Sequence, residues 1–526
     1  MPNVIGRKSY FAALLVVGLF FTATQATAKT DLVLAIGGEP DNGYDPLLGW
    51  GQYGHPLFQS TLLTRGPDFS SVPDLATNLT LSEDRLIWTA ILREGVKFSD
   101  GTPLTAKDVA FTFQEATRIG GVRDLTALES VEAVNDRTVV FRLKKPWITF
   151  TENFYTLGIV PAETYGPDYS RVPLGSGPYR LVSWKQGEQL IVEANPYYYG
   201  EQSPFRRLTF LFANEDASLA AAKTGQVDIV SVPAMRVDAA PANYDVLPVK
   251  SVDNRGITFP MLPNEGKRDD AGNPIGNNVT SDPAIRRAIN LGIDRQKIVD
   301  LVLQGHGTPA YGPADGLPWS NPEAAITYDP EAARFMLDQA GWVSGDDGIR
   351  SKDGVRASFK INYPASDSTR QGVSVVLADT LKTLGIEGIP VGTTWENIER
   401  VVHSEPVVFG WGSHSPLEVY NIYHSTRAGV ELYNPGYFSS STVDEYFNKA
   451  QAAGSLEESY PFWKQAEWDG RTGFGPKGEA GWAWLVNLDH VYFIQKCLDT
   501  GPTQIEPHGH GWPITAGIQN WKWRCE

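Results

Sequence analysis

At 526 residues, 42% of them hydrophobic and 20% charged, the chain has room for about three structural units and is not a disordered, collagen-like or coiled-coil protein. Its 61 Asp and Glu against 45 Lys and Arg give a formal charge of −16 with no compact basic block, which excludes nucleic acid and anionic lipid surfaces as partners. The 15 Trp, 21 Tyr and 23 Phe beside only 4 Met require either a large core or a cleft to line.

The first 28 residues read as a cleavable secretory signal. Arg7 and Lys8 form a basic start, Phe11 to Ala23 an apolar run, and Ala26-Thr27-Ala28 an A-x-A cleavage site before Lys29. The run of about 13 residues is too short for a hydrocarbon core of roughly 30 Å. No Cys stands near the cleavage site to carry a lipid, so the mature protein is expected to be soluble outside the cytoplasm, in the periplasm.

Leu32 to Ile36 reads as a short strand ending in Gly37-Gly38, and Thr138 to Leu143 alternates as another. Thr105 to Asp108 is a capping box, after which Val109, Phe113 and Ala116 repeat at helical spacing. Asp282-Pro283 pairs an N-cap with a first-turn proline, and Ile285, Ile289, Ile293 and Val299 predict a helical face that runs to Gly305. Asp329-Pro330 opens a further helix that stops at Gly341, and the Gly345 to Gly348 and Lys352 to Gly354 turns predict a hairpin. Both periods occur together, so the fold class expected is mixed α/β. The two cysteines, Cys497 and Cys525, both fall in the tail; in an oxidising compartment they are expected to form a disulfide.

No G-x-S-x-G elbow, H-E-x-x-H, C-x-x-C, P-loop or complete G-x-G-x-x-G is present, and Gly175-Ser-Gly177 is too short for a phosphate cradle. A secreted hydrolase is the alternative from another class and would need a nucleophile and base that these motifs do not supply. The expectation is therefore no catalysis and no cofactor.

The run from Phe98 to Phe113, FSDGTPLTAKDVAFTF, resembles the signature of the family 5 extracytoplasmic solute-binding proteins, which serve ABC importers for peptides, nickel and related ligands. Trp88 and Leu92 to Lys97 precede it, and Gly175 to Tyr179, Asp282 to Asn290, Ile293 to Arg295 and Gln339 to Trp342 follow in family order. The residues of these matches read as turns, caps and core contacts; they identify a fold and mark no site. The resemblance implies a periplasmic binding protein-like, two-lobed fold with a hinge, whose N-terminal lobe carries an extra subdomain. By that analogy residues 29–50, 174–256 and 487–526 form the sheet domain of lobe I, 51–173 its subdomain and 257–486 lobe II. It further implies a monomer that hands a small-molecule or peptide ligand to an ABC permease at the inner membrane.

Ligand residues are expected where loops of the two lobes face each other. The segment from Gly38 to Pro46, with Tyr44, and the following Trp50 and Tyr53 resembles a family loop that enters the cleft. The segment from Phe409 to Ser425 is the stronger candidate, through Trp411, His414, Tyr420, Asn421 and Tyr423, with Arg427 close behind. In dipeptide-binding relatives the stretch after the Gly-Trp pair supplies an aspartate that meets the ligand's ammonium group. Here Ser413, His414 and Ser415 follow, and the nearest acid is Glu418. Imidazole suits nickel, copper and zinc and an Arg fork suits a carboxylate, so His414 and His424 suggest a metal chelate as an alternative ligand. A metal is expected only as part of the transported ligand. His508 and His510 form a second pair, on a Gly-rich segment that suggests hinge or surface packing.

Overall fold

The computed structural model describes residues 29–54, 57–120, 123–430, 432–508 and 511–525. The expected signal segment, ending at Ala28, and His510 lie outside the described residues. The fold is mixed α/β, built on a nine-stranded sheet.

Two long strands organise it. Tyr244–Thr258 and Trp482–Gln495 run antiparallel, in register from Tyr244 opposite Gln495 to Lys250 opposite Asp489; the register shifts before Asn254 opposite Asn487, and once more between Arg255 opposite Val486 and Gly256 opposite Trp484, from where it holds to Thr258 opposite Trp482. The slip between Lys250 and Asn254 bends the pair and re-aims its side chains. On one side of the slip, Ile229–Val232 joins the strand Trp482–Gln495 and continues through Asp31–Ala35 and Arg207–Leu211 to Gln189–Ala194 and Tyr179–Lys185. On the other side, Val408–Phe409 pairs with Gly256 and Ile257, and Gly307–Pro309 pairs with Val486 to Leu488. The same two strands therefore belong to two different packing neighbourhoods.

A separate four-stranded antiparallel sheet, ordered Ala76–Leu81, Ile87–Leu92, Thr138–Leu143 and Leu128–Asn135, is covered by the helix Ala106–Ile119. Thr105 caps that helix in a full capping box with Asp108. Beyond the long strands, the parallel strands Ser358–Pro364 and Glu387–Thr393 are joined by the helix Ser368–Thr383.

The family-like motifs meet one another inside the protein. Trp342 donates from Nε1 to Asp282 at 3.0 Å, and Lys352 donates to the same carboxylate at 2.8 Å. Arg295 is buried and donates to the carbonyls of Asn290, Ala310 and Trp484. Gly175 lies so close to the chain that a Cβ there would stand 2.0 Å from the Phe58 carbonyl oxygen. Any side chain would force the two backbones apart.

The helical face expected from Asp282 to Gly305 is two helices, Pro283–Gly292 and Arg295–Val302. Ile293 turns extended and Asp294 caps the second helix by accepting from the Lys297 N–H. The expected hairpin is part of a three-stranded sheet, Val343–Ser344, Arg350–Lys352 and Val355–Arg356.

Cys497 and Cys525 are bonded, with Cα atoms 5.1 Å apart, beside the short antiparallel pair Leu498–Asp499 and Lys522–Trp523. The closed loop carries the 3-10 segment Trp512–Asn520. Replacing both cysteines by Ser is expected to lower the unfolding free energy by roughly 3 kcal/mol, through the freedom returned to the unfolded chain. Guanidinium chloride unfolding of the variant against the oxidised parent measures the difference.

Candidate functional site

The segment after Val408–Phe409 is pressed onto the strand Tyr244–Thr258 at its slip. A Cβ on Gly410 would fall 2.0 Å from the Asn254 carbonyl oxygen, and one on Gly412 2.7 Å from the Asp253 Cα. Only glycines allow this approach, and it fixes the residue between them. The Trp411 N–H donates to Asn254 Oδ1 and its carbonyl accepts from the Asn254 N–H, both at 2.9 Å. The indole then stacks on Tyr433, with ring centres 5.6 Å apart and an interplanar angle of 21°.

The helix Leu417–Tyr423 follows directly. At helical spacing, Leu417, Glu418, Asn421 and Ile422 share one side and line a cavity of about 110 Å³ together with Gln52, Tyr53, Arg123, Asp124, Glu152 and Trp411. A larger cavity of about 420 Å³ adjoins it through the shared walls Tyr53, Glu152, Thr156 and Ser413. Arg65, Asp74, Tyr155, Tyr198, His414, Gln504 and Glu506 also line the larger cavity, and the segment from Pro513 to Trp521 closes one side of it. Its volume falls within the range of roughly 300–1,000 Å³ usual for small-ligand sites.

Most charges on these walls are already engaged. Arg65 meets Glu152 at 2.6 Å and covers the Tyr155 ring at 4.1 Å. Arg123 donates to the carbonyls of Pro46, Trp50 and Thr156 and to the Thr156 hydroxyl, and burial lowers its pKa to about 10. Arg427 stands 3.9 Å from Asp124 and over the Tyr433 ring at 4.7 Å. Glu418 differs: its Oε2 accepts from the Gly412 N–H at 2.9 Å, and burial pushes its carboxyl up to about 8, with Asp253 and Glu152 raising it further.

Behind this loop lies a buried charge network at the slip of the long strands. Asp253 accepts from Arg255 at 2.5 Å, His508 at 2.8 Å and His490 at 3.2 Å. His490 also donates to Glu506 at 2.6 Å, and the Tyr492 hydroxyl donates to the same oxygen at 2.8 Å. Burial alone would raise the Asp253 carboxyl, but Arg255 and the two histidines outweigh it and hold it well below the usual carboxylate range. Burial opposes the charge on His490, yet its bonds to Asp253 and Glu506 raise it to about 9. Burial, with Arg255 and Arg370 nearby, lowers His508. The His508 N–H donates to the Gly412 carbonyl at 2.7 Å, so one peptide unit joins the network to the cavity wall.

The structure divides the residues expected from sequence. Trp411, Asn421 and Tyr53 come together on the smaller cavity, Tyr53 also facing the larger one, and His414 lines the larger cavity with its ring edge-on to Phe69. Arg427 supports the wall through Asp124 and Tyr433. Tyr420 and Tyr423 point the other way along the same helix: Tyr420 packs against Trp147 and His424, and Tyr423 stacks on Phe474 and accepts from Trp484. Tyr44 and Trp50 sit in an aromatic core with Phe58, Trp184 and Trp512 and line neither cavity.

His424 bonds Thr426 and stacks on Tyr420, away from His414 and both cavities. Among the described residues no group of three or more His, Cys, Asp or Glu side chains is placed to hold a metal ion. Gln52, Arg123, Asp124, Glu152 and Tyr433 join the site without any sequence signal, because tertiary packing alone brings their segments to the Gly-Trp loop.

The model of the bacterial extracellular solute-binding proteins, family 5 Middle, matches residues 70–428. The chain is 33% identical to Protein XP55 of Streptomyces lividans over 91% of its own length and 87% of that protein. Among solved structures it is similar to NikZ from Campylobacter jejuni in complex with Ni(L-His), with a TM-score of 0.79 and 23% identity over 94% of this chain and all of that one. It is also similar to the oligopeptide-binding protein AppA from Bacillus subtilis in complex with a nonapeptide, with a TM-score of 0.76 and 24% identity over 95% of this chain and all of that one. These likenesses establish the two-lobed periplasmic binding protein fold.

Proposed function

The chain belongs to the bacterial extracellular solute-binding proteins of family 5, and from that premise we propose that it is an extracytoplasmic receptor that captures a peptide-like solute and hands it to an ABC permease. The observation that carries this reading is the position of the two adjoining cavities. Their walls come from Tyr53, Glu152 and Thr156 on one side and from Trp411, Ser413 and Asn421 on the other, and Gly410 and Gly412 seat the second wall on the long strand Tyr244–Thr258. We place the lobe boundaries within those strands, so that residues 29–50, 174–256 and 487–526, with the subdomain 51–173, close against residues 257–486. Closure would exclude water and strengthen every polar contact inside.

Affinity then comes from the Trp411–Tyr433 wall and a few fixed polar groups, with no bond made or broken in the ligand. Secretion through the leader ending at Ala28 would deliver the receptor to its compartment. No helix among the described residues is long and apolar enough to cross a membrane.

Incubating the purified protein with an unfractionated periplasmic extract and weighing the complex by native mass spectrometry is expected to show one retained ligand per chain. Trp411→Ala is expected to weaken that retention by about 2 kcal/mol or more. Turnover of the ligand without retention would overturn the receptor reading in favour of a hydrolase. His414 on the wall of the larger cavity favours a second reading, in which the solute is a metal chelate and the imidazole fills one metal position. Metal analysis of the retained complex separates the two.

A further inference from the structure

The loop closed by the Cys497–Cys525 bond walls one side of the larger cavity, and with Gln59 and Thr61 it brings hydrogen-bond acceptors there. Glu506 is 1% exposed; its Oε2 takes the His490 N–H at 2.6 Å and the Tyr492 hydroxyl at 2.8 Å, while its buried Oε1 accepts no hydrogen bond. Gln59, 2% exposed, lines the same cavity, and its neighbours fix its amide. The Gln59 NH2 donates to the Tyr44 carbonyl at 3.2 Å and to the Tyr169 hydroxyl at 3.0 Å, and Tyr169 spends its own proton on the Leu174 carbonyl. Neither partner has a proton to give back, so the buried Gln59 Oε1 is left unmet. Two wall hydroxyls add to this: Thr61 gives its single proton to the Leu63 carbonyl at 2.7 Å and Thr515 to the Trp512 carbonyl at 2.8 Å, so both can only accept. Buried acceptors left unmet call for a donor-rich partner.

The charges decide which donor. Arg65 is the only Lys or Arg among the described residues that line the larger cavity, and it meets Glu152, so an anion finds its one guanidinium engaged. Asp74 takes the Tyr199 hydroxyl and the Thr61 N–H, and burial raises its carboxyl to about 6. Glu506 already faces a cation: burial opposes the charge on His490, but its bonds to Asp253 and Glu506 raise it to about 9. A second cation at Glu506 would crowd that imidazolium. A neutral donor meets neither obstacle. Gln504 and Gln519, on the same loop, make no side-chain hydrogen bond among the described residues, so donors stand beside the acceptors. A hydroxyl uses both, because it donates and accepts at one atom, whereas a peptide N–H only donates.

We propose that the larger cavity holds a neutral, hydroxyl-rich part of the ligand, a polyol or sugar unit whose hydroxyls donate to Glu506 and Gln59 and accept from Gln504. The solute is then an amino-acid or peptide unit that carries a polyol. This rests on the receptor reading above.

Three pools of dipeptides test it: unmodified, carrying a pentahydroxyhexyl chain placed on the amino terminus by reductive amination with glucose, and carrying a plain hexyl chain placed there by the same chemistry. Both chains leave the amine cationic, so only the hydroxyls separate them. The full chain is offered each pool, with retention read by native mass spectrometry and affinity by calorimetry. The wild type is expected to hold the pentahydroxyhexyl pool about tenfold or more tighter than the hexyl pool. Glu506→Gln is expected to lose most of that preference. Because Glu506 also braces His490, Gln504→Ala, which removes no bond of the fold, serves as the second variant and is expected to lose part of the preference with an unchanged circular dichroism melt. Equal or tighter retention of the hexyl pool, or an undiminished preference in Gln504→Ala and in folded Glu506→Gln, overturns the polyol subsite and leaves the receptor reading standing. Retention of none of the pools overturns peptide capture, and the subsite with it.

Discussion

Asp253→Asn is expected to lower the unfolding free energy by about 3–5 kcal/mol, the usual cost of removing one partner from a buried ion network. The substitution keeps the shape and one acceptor oxygen, so the loss reports charge and not a cavity. Asp253 is 3% exposed and takes bonds from Arg255, His490 and His508. Arg370 and Asp367 lie close enough to act on the same groups. The network sets Asp253, Asp367 and Glu506 against Arg255, Arg370 and His490, and the variant leaves a cation without its counterpart in a low-dielectric site. Its pH dependence identifies the partners. His490 is raised from 6.5 to about 9, so its contribution is fully present below pH 6.5 and is lost as pH rises through 9. Asp253 is depressed, so its contribution is present above the ordinary Asp range and fades as pH falls through the folded value. Urea unfolding between pH 5 and 10 should show wild-type stability falling above neutrality and a flatter profile in the variant. A loss below about 1 kcal/mol at pH 6 would mean that the surrounding charges are solvated or rearrange, and that the network does not hold the strands.

Legibility in the sequence followed the range of the interaction. The Thr105 capping box and the Asp282-Pro283 and Asp329-Pro330 starts are local devices, and each opens a helix as its spacing predicts. The break at Asp294 was hidden because Ile293 and Val299 keep the apolar rhythm on both sides of it, while the cap acts through a single side-chain bond. Within the cleft, Gly410-Trp411-Gly412 was readable as a pattern, and its meaning became clear only when the glycines were seen against Asn254 and Asp253. Tyr420 and Tyr423 looked like wall residues by composition. Three residues apart along a helix whose other side carries Glu418 and Asn421, also three apart, they had to face the other way, into Trp147 and Phe474. The aromatic surplus is divided on the same principle: Tyr44, Trp50, Trp184 and Trp512 gather from distant segments into one core, which no local pattern announces. Asp253, His490 and Glu506 are likewise far apart in sequence and meet only because the long strands pair across a slip.

Binding of a cationic ligand is expected to strengthen by up to about tenfold per pH unit between pH 6 and 8 and then to level off. Burial raises the Glu418 carboxyl to about 8; the Gly412 N–H opposes this in part, and Asp253 and Glu152 add to it. At neutral pH the empty cavity therefore holds a proton on Glu418, and a ligand cation that needs the carboxylate must displace it. The sign follows: each unit below 8 adds to the work of deprotonation, so affinity falls toward acid. The ligand-free fold shows the reverse linkage, because Glu418 is raised above its unfolded value of 4.5 and its stabilising contribution is lost as pH rises through 8. Tyr53, Arg123 and Asp253 titrate outside the window. Burial raises the Tyr53 hydroxyl above its ordinary range and lowers Arg123 only to about 10, and Asp253 stays ionised far below neutrality. Calorimetry in buffers of different ionisation enthalpy should find close to one proton released per ligand at pH 7 and almost none at pH 9. Glu418→Gln should abolish both the release and the slope. A slope that survives in that variant would assign the proton to another group, His414 on the neighbouring wall being the first to replace, and a flat wild-type profile would mean that the ligand brings no cation to Glu418.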